Sequence, residues 1–225
     1  MRLRNVKNKD EILSNCPLVI KDYKNHCGKF KDVFASDLPL AVEIGTGKCK
    51  FIIESAKKYP NYNFLGIEKS PSVLALGVKK IKEDIPNLRF ICASAMEIDE
   101  ILSHEVSILY LNFSDPWPKA RHENRRLTSP VFLDKYDKIF KEKAYIVQKT
   151  DNQKLFEYSL STLSQHGYAF SEVNLDLQNE ANDDNIMTEY EIKFTQKGNP
   201  IYRVKAEKIE KIEKEKNWNR INILI

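Results

Sequence analysis

The chain has 225 residues, a length that suits one α/β domain with a sizeable core and argues against a second catalytic domain. Its 36 lysines and arginines against 32 aspartates and glutamates leave a formal charge of +4, too mild to mark the whole chain as a polycation, so any argument about partners rests on local clusters. No apolar run is long enough for a signal peptide or a membrane span, and Cys16, Cys27, Cys49 and Cys92 lack C-x-x-C spacing; the expectation is a cytoplasmic protein with free thiols, no structural zinc and no membrane attachment.

Residues 1–36 carry Arg2, Arg4, Lys7, Lys9, Lys21, Lys24, Lys29 and Lys31, with few apolar positions before Phe30 and Phe34. They read as a basic arm, partly ordered at best without a partner. From Leu40 the pattern changes. β-Prone runs at 40–44, 63–68, 88–93, 106–113 and 143–149 alternate with helical segments at about 48–59, 71–84, 129–140 and 152–165. That alternation predicts βαβ units and a mostly parallel sheet with helices on both faces. Ser70-Pro71 and Ser129-Pro130 each place a capping hydroxyl before a proline at the first helical position. Two further strands, about 168–176 and 200–206, flank a polar stretch and a short helical piece around 188–195, and as a hairpin-like pair they would close the sheet edge. The alternating charges from Glu207 to Lys216 read as a solvated helix or tail. The division is then an arm over 1–36, a domain over 37–206 and a tail over 207–225.

Strand 40–44 runs into Glu43-Ile44-Gly45-Thr46-Gly47-Lys48-Cys49, where two glycines let the backbone turn sharply and approach a ligand before a helix begins. Glu68 ends the next strand, where a carboxylate can accept hydrogen bonds from both hydroxyls of an adenosine ribose. NAD and S-adenosylmethionine share that ribose. Glu43 and the missing third glycine favour S-adenosylmethionine, because a pyrophosphate wants no carboxylate nearby whereas a sulfonium and an amino group welcome one. The plainer alternative is a tight turn with Glu43 and Glu68 solvated at strand ends.

The apolar run 106–113 delivers Asp115 to the carboxyl end of a buried strand, the edge where open α/β sheets bind ligands. Pro116 and Pro118 flank Trp117 and should hold the indole and Asp115 in place. Trp117 either stacks on a splayed base or packs to close the pocket. Lys119, Arg121, His122, Arg125 and Arg126 stand against one acid, Glu123, a balance that favours phosphate contacts over a merely solvated loop. His26, His104 and His166 do not sit at metal-ligand spacing, and no metal is expected.

Taken in order, Glu43-Ile44-Gly45-Thr46-Gly47, Gly66-Ile67-Glu68, Asn112-Phe113-Ser114-Asp115-Pro116-Trp117-Pro118-Lys119, Arg121-His122, Arg125-Arg126-Leu127, Lys149-Thr150-Asp151-Asn152 and Asn185-Ile186-Met187-Thr188-Glu189-Tyr190-Glu191 resemble the bacterial tRNA (guanine-N7-)-methyltransferase family over about residues 40–203. The resemblance implies a class I S-adenosylmethionine-dependent methyltransferase fold, Rossmann-like and seven-stranded. It also implies methylation of a guanine in the tRNA variable loop, giving 7-methylguanosine. By position it implies Glu43, Gly45, Gly47, Glu68, Ser94 and Asp115 as cofactor-site residues, with Asp115 also catalytic. Lys119, Asp151, Thr188, Glu189, Tyr190 and Glu191 would meet the substrate, and Arg121, His122, Arg125 and Arg126 would meet the RNA. Cys49 stands where the family usually has a third glycine, and Ser94 where an Asp or Asn usually meets the adenine; a serine reaches less far, so weaker or water-bridged adenine recognition is expected.

Guanine N7 carries no proton, so its attack on a sulfonium methyl needs no general base. A carboxylate, Asp115 or Asp151, can stabilise the developing guaninium, and alignment of N7, carbon and sulfur supplies most of the rate. O6 beside N7 suits Lys119 or a threonine hydroxyl. Two rivals remain: a methyltransferase acting on an amino group or another nucleic acid, suggested by the Ser114-Asp115-Pro116-Trp117 loop, and a non-catalytic RNA-binding module, suggested by Cys49 and Ser94. Oligomeric state is open between monomer and homodimer.

Overall fold

A computed structural model describes residues 6–178, 185–195 and 198–209. Seven strands form one sheet in the order β3-β2-β1-β4-β5-β7-β6. They are β1 (Leu40–Ile44), β2 (Asn63–Ile67), β3 (Leu88–Ile91), β4 (Val106–Asn112), β5 (Phe140–Thr150), β6 (Tyr168–Asn174) and β7 (Tyr202–Lys208). The first five run parallel to one another, and β7 inserts antiparallel between β5 and β6. The expected pair at the edge is therefore present, with the last strand on the inside.

Side chains of a strand alternate between faces, and the two faces have separate cores. Val42, Ile44, Leu109, Leu111 and Ile146 pack under α5 (Ile98–Ile101), α6 (Pro130–Tyr136) and α7 (Gln153–Gln165). Ala41, Phe64, Leu88 and Phe90 pack under α3 (Lys50–Lys58) and α4 (Pro71–Val78). Helices thus cover both faces, as the sequence pattern requires. The prolines at 71 and 130 do open their helices, but neither Ser70 nor Ser129 caps through its side chain; the Ser129 hydroxyl instead donates to the Asn124 carbonyl at 3.2 Å.

The N-terminal segment differs from the expected arm. Within the described residues it is folded onto the domain. α1 (Lys9–Asn15) packs against α4 and buries Leu13, residues 18–20 pair with β3 through Val19 and Phe90, and α2 (Phe30–Phe34) sends both phenylalanines into the core. The Glu105 carboxylate clasps the turn before α2 by accepting from the Gly28 and Phe30 amides at 2.9 and 3.0 Å. Each short piece contributes only one or two apolar anchors, so no period emerges among the lysines. At the other end, Glu207 and Lys208 belong to β7 and not to a tail; residues 210–225 lie outside the described residues.

Candidate functional site

The carboxyl ends of β1, β2 and β4 meet where strand order reverses about β1, the place where such sheets receive ligands. A cleft of about 470 Å³ lies there, lined by Gly45, Glu68, Ser94, Asn112, Asp115 and Trp117 among others. A second hollow of about 280 Å³ shares Gly45, Asn112 and Phe113 with it and continues to Glu43, Thr188 and Tyr190. Another hollow, about 630 Å³, opens at the opposite, amino edge beside Phe34 and Leu40 and meets neither the glycine turn nor the Asp115 loop.

The turn after β1 needs its glycines. Gly45 and Gly47 have φ of +78° and +58°, a left-handed conformation costly to any residue with a Cβ. The Gly45 and Thr46 amides donate to the Ile67 carbonyl at 2.8 and 3.2 Å, lashing the turn to β2. Cys49 also lies left-handed, at φ 65°, and its buried sulfur is accommodated by Gly77 of α4: a Cβ there would stand 2.4 Å from Sγ. The missing third glycine is thus absorbed by packing across two helices.

Beneath the turn Glu43 is 2% exposed, with Asn112 Nδ2 donating to one oxygen at 2.8 Å and the Thr46 hydroxyl to the other at 2.7 Å. Burial pushes its carboxyl up to about 7, against the opposing pull of those two hydrogen bonds and of the Lys149 charge. Glu68, also buried, accepts from the Gly47 amide at 3.0 Å and the Ser70 amide at 2.9 Å, which leaves each oxygen a further lone pair. Neither carboxylate is a solvated strand-end acid. Ser94 lines the cleft but its hydroxyl accepts from the Met96 amide at 3.2 Å, capping the helical turn Ala95–Glu97, so an adenine would meet its O–H donor and one remaining lone pair.

The loop after β4 is strained at Phe113 (φ 49°) and Trp117 (φ 41°), a cost of the kind that concentrates at functional sites. Arg126 holds it, donating to the Pro116 and Trp117 carbonyls at 3.2 Å each, and lies over the Tyr158 ring. Arg126, expected at the RNA, is in this structure a brace within the protein. The Trp117 indole lines the cleft half-buried, with the Arg125 guanidinium 4.9 Å above it and the His122 ring edge-on at 5.7 Å. Asp115 is exposed beside the Lys69 ammonium at 3.7 Å, and Lys119 and Arg121 are exposed on the following turn.

The segment 185–191 leads into α8 (Glu189–Thr195). Thr188 and Glu191 form a capping box: the Glu191 amide donates to the Thr188 hydroxyl at 2.9 Å and the Thr188 amide to the Glu191 carboxylate at 3.2 Å. That carboxylate also takes the Lys149 ammonium at 2.7 Å, and the two side chains are 1% and 3% exposed. Burial pulls the Lys149 pKa down and Glu191 pulls it back. Breaking such a pair costs about 3–5 kcal/mol, because one charge is stranded. Glu189 pairs with Lys80 and, at 3.4 Å, with Lys48; these are partly exposed and contribute on the order of 0–1 kcal/mol each. Thr188, Glu189 and Glu191 thus each have partners within the protein, while Thr188 and Glu189 also line the second hollow beside Tyr190. Tyr190 fits the expectation of facing substrate better. It is exposed, its hydroxyl donates to Asp151 at 3.4 Å, and its ring centroid is 5.0 Å from that of Phe113. Lys149, Asn112 and Thr46 stand within the motifs quoted above but had no role assigned from the sequence; a lone lysine in the buried end of β5 was the available signal for the first.

A family model for putative methyltransferases matches residues 37–204. A tRNA (guanine-N(7)-)-methyltransferase of Geobacillus kaustophilus is 50% identical over 92% of this chain and 96% of its own length. Its counterpart in Pediococcus pentosaceus is 47% identical over 92% and 99%. Among solved structures, an antibiotic-related methyltransferase (17% identity, TM-score 0.65, 83% of this chain and 94% of that one) and the 16S rRNA methyltransferase KamB (12%, 0.62, 81% and 93%) share the fold. The sheet order, the helices on both faces and these neighbours make this a class I methyltransferase fold. With close to half its residues shared along nearly the whole length of these relatives, the chain belongs to the tRNA (guanine-N(7)-)-methyltransferase family.

Proposed function

We propose that this protein transfers the methyl group of S-adenosylmethionine to N7 of a guanine in the variable loop of tRNA, producing 7-methylguanosine. The observation that carries the proposal is the meeting of the glycine turn, Glu68 and Asp115 around one cleft, in a chain half identical to a tRNA (guanine-N(7)-)-methyltransferase. That identity favours tRNA guanine over an amino group as acceptor. The accommodation of Cys49 by Gly77 removes the reason to suspect a degenerate cofactor turn. Among the described residues no helix is long and apolar enough to cross a membrane.

The residues fit the cofactor's chemistry. Ile67, Ala93, Leu127 and Phe132 offer apolar walls for a purine, Glu68 offers acceptors for a ribose, and Glu43 places a titratable carboxyl under the turn for the cationic amino-acid end. When bound, S-adenosylmethionine supplies an electrophilic methyl on a sulfonium. Because N7 presents a bare lone pair, the protein has no proton to remove, and its task is alignment and charge. Asp115, exposed at the cleft and 3.7 Å from Lys69, is placed to follow the positive charge onto the guanine ring. Lys119, Arg121 and Arg125, exposed on the same loop, are assigned to base and backbone contacts. Incubating the full chain with unmodified tRNA and methyl-labelled S-adenosylmethionine, followed by nucleoside analysis, tests this: 7-methylguanosine as the labelled product supports it, and any other methylated nucleoside rejects it.

A further inference from the structure

Lys149 joins the two walls of the site. Its carbonyl accepts from the Phe113 amide at 2.8 Å, at the start of the Asp115 loop. Its side chain runs the other way, to the segment before α8. There the ammonium meets Asn185 Oδ1 at 3.1 Å, the Ile186 carbonyl at 2.9 Å and Glu191 Oε2 at 2.7 Å. An ammonium has three protons and all three are spoken for. The Phe51 ring lies 5.2 Å from the nitrogen, and the side chain is 3% exposed. A group so saturated and enclosed has nothing left to offer a substrate, so it acts through what it holds. It holds the residues on both sides of the Phe113–Tyr190 ring pair, and it lies two residues before Asp151, which accepts from the Tyr190 hydroxyl. Two further ties on α8, from Glu189 to Lys48 and Lys80, are partly exposed and yield to solvent and salt.

We propose that Lys149 is the positioning residue of this site: through Asn185, Ile186 and Glu191 it fixes the 185–191 segment against β5, and so sets where Tyr190 stands relative to Phe113 and Asp151 when the target base enters. The inference rests on the function proposed above. Small misplacements at such a site cost about a hundredfold in rate, because in-line transfer depends on geometry.

Two variants test it. Lys149→Met combined with Glu191→Gln removes the anchor without stranding a charge, and Asn185→Ala removes one arm of it from a less buried position. With unmodified tRNA, the double variant should lose about a hundredfold in kcat and Asn185→Ala about tenfold, counted per S-adenosylmethionine-binding site. Affinity for S-adenosylmethionine should stay within about threefold of the parent in both. Amides of Thr188 to Glu191 should exchange with deuterium about tenfold faster in Asn185→Ala. Parental kcat in either folded variant, or a loss matched by cofactor affinity, overturns the proposal. Should the double variant fail to fold, Asn185→Ala decides alone. A parent enzyme that makes no 7-methylguanosine rejects the functional reading instead, and the exchange measurement then still judges the anchor by itself.

Discussion

At the scale of single residues, burial decides what the acids can do. Glu43 stays protonated in the folded chain up to about pH 7, whereas in the unfolded chain it ionises near its ordinary value of 4.5. Between those values the unfolded state holds fewer protons, so this group's contribution to stability falls as pH rises from 4.5 to about 7, by roughly 3 kcal/mol in all. Glu43→Gln should flatten that part of the pH–stability profile, read from urea unfolding at pH 5 and pH 8; an unchanged slope means that Glu43 is ionised throughout. Because a cationic ligand favours the carboxylate, S-adenosylmethionine affinity in the parent should also rise through this range. Asp115 is different, since it is exposed, and the role proposed for it is to follow charge onto the guanine. Asp115→Ala should lower turnover by about a thousandfold while retaining most tRNA affinity by filter binding. Equal loss of both would make Asp115 a structural residue.

At the scale of elements, the glycine turn and the Asp115 loop show how local strain is held by neighbours. Gly77→Ala would drive a methyl into Cys49 Sγ and the Lys48 backbone, so a loss of about 1–3 kcal/mol is expected in thermal or urea unfolding. Adding Cys49→Gly should recover part of it, both by clearing the sulfur and by placing glycine at φ 65°. Strict additivity of the two changes would show that the helices do not meet there. On the loop, Arg125→Ala should reduce the salt slope of tRNA binding by about one, as one phosphate contact requires. Arg126→Ala should instead leave the slope and lower kcat, since Arg126 is bonded to the Trp117 carbonyl. The five parallel strands, the longer helices between them and the closing strand pair were readable from the pattern of the chain. What escaped did so for physical reasons: α5 is four residues long, β5 begins with the exposed charges Lys141, Glu142 and Lys143, and the N-terminal pieces each bury too few side chains to print a period.

At the scale of the whole molecule, the sheet brings together segments that lie far apart in the chain: the turn at 45–49, Glu68, the loop at 113–126 and the segment at 185–191. Each was recognisable as a motif, and the strand-end rule placed the first three at one edge. Which side chains face the cleft was not recoverable, because Glu191 and Arg126 find partners, Lys149 and the Pro116 and Trp117 carbonyls, that only the fold supplies. The central claim is that the acceptor is a nitrogen lone pair needing no base. It is tested most directly by offering the enzyme two tRNA transcripts alike except that one carries 7-deazaguanosine, in which N7 is replaced by carbon, in place of guanosine. Methyl transfer to the ordinary transcript and none to the deaza transcript is the predicted result; comparable transfer to both would contradict the account.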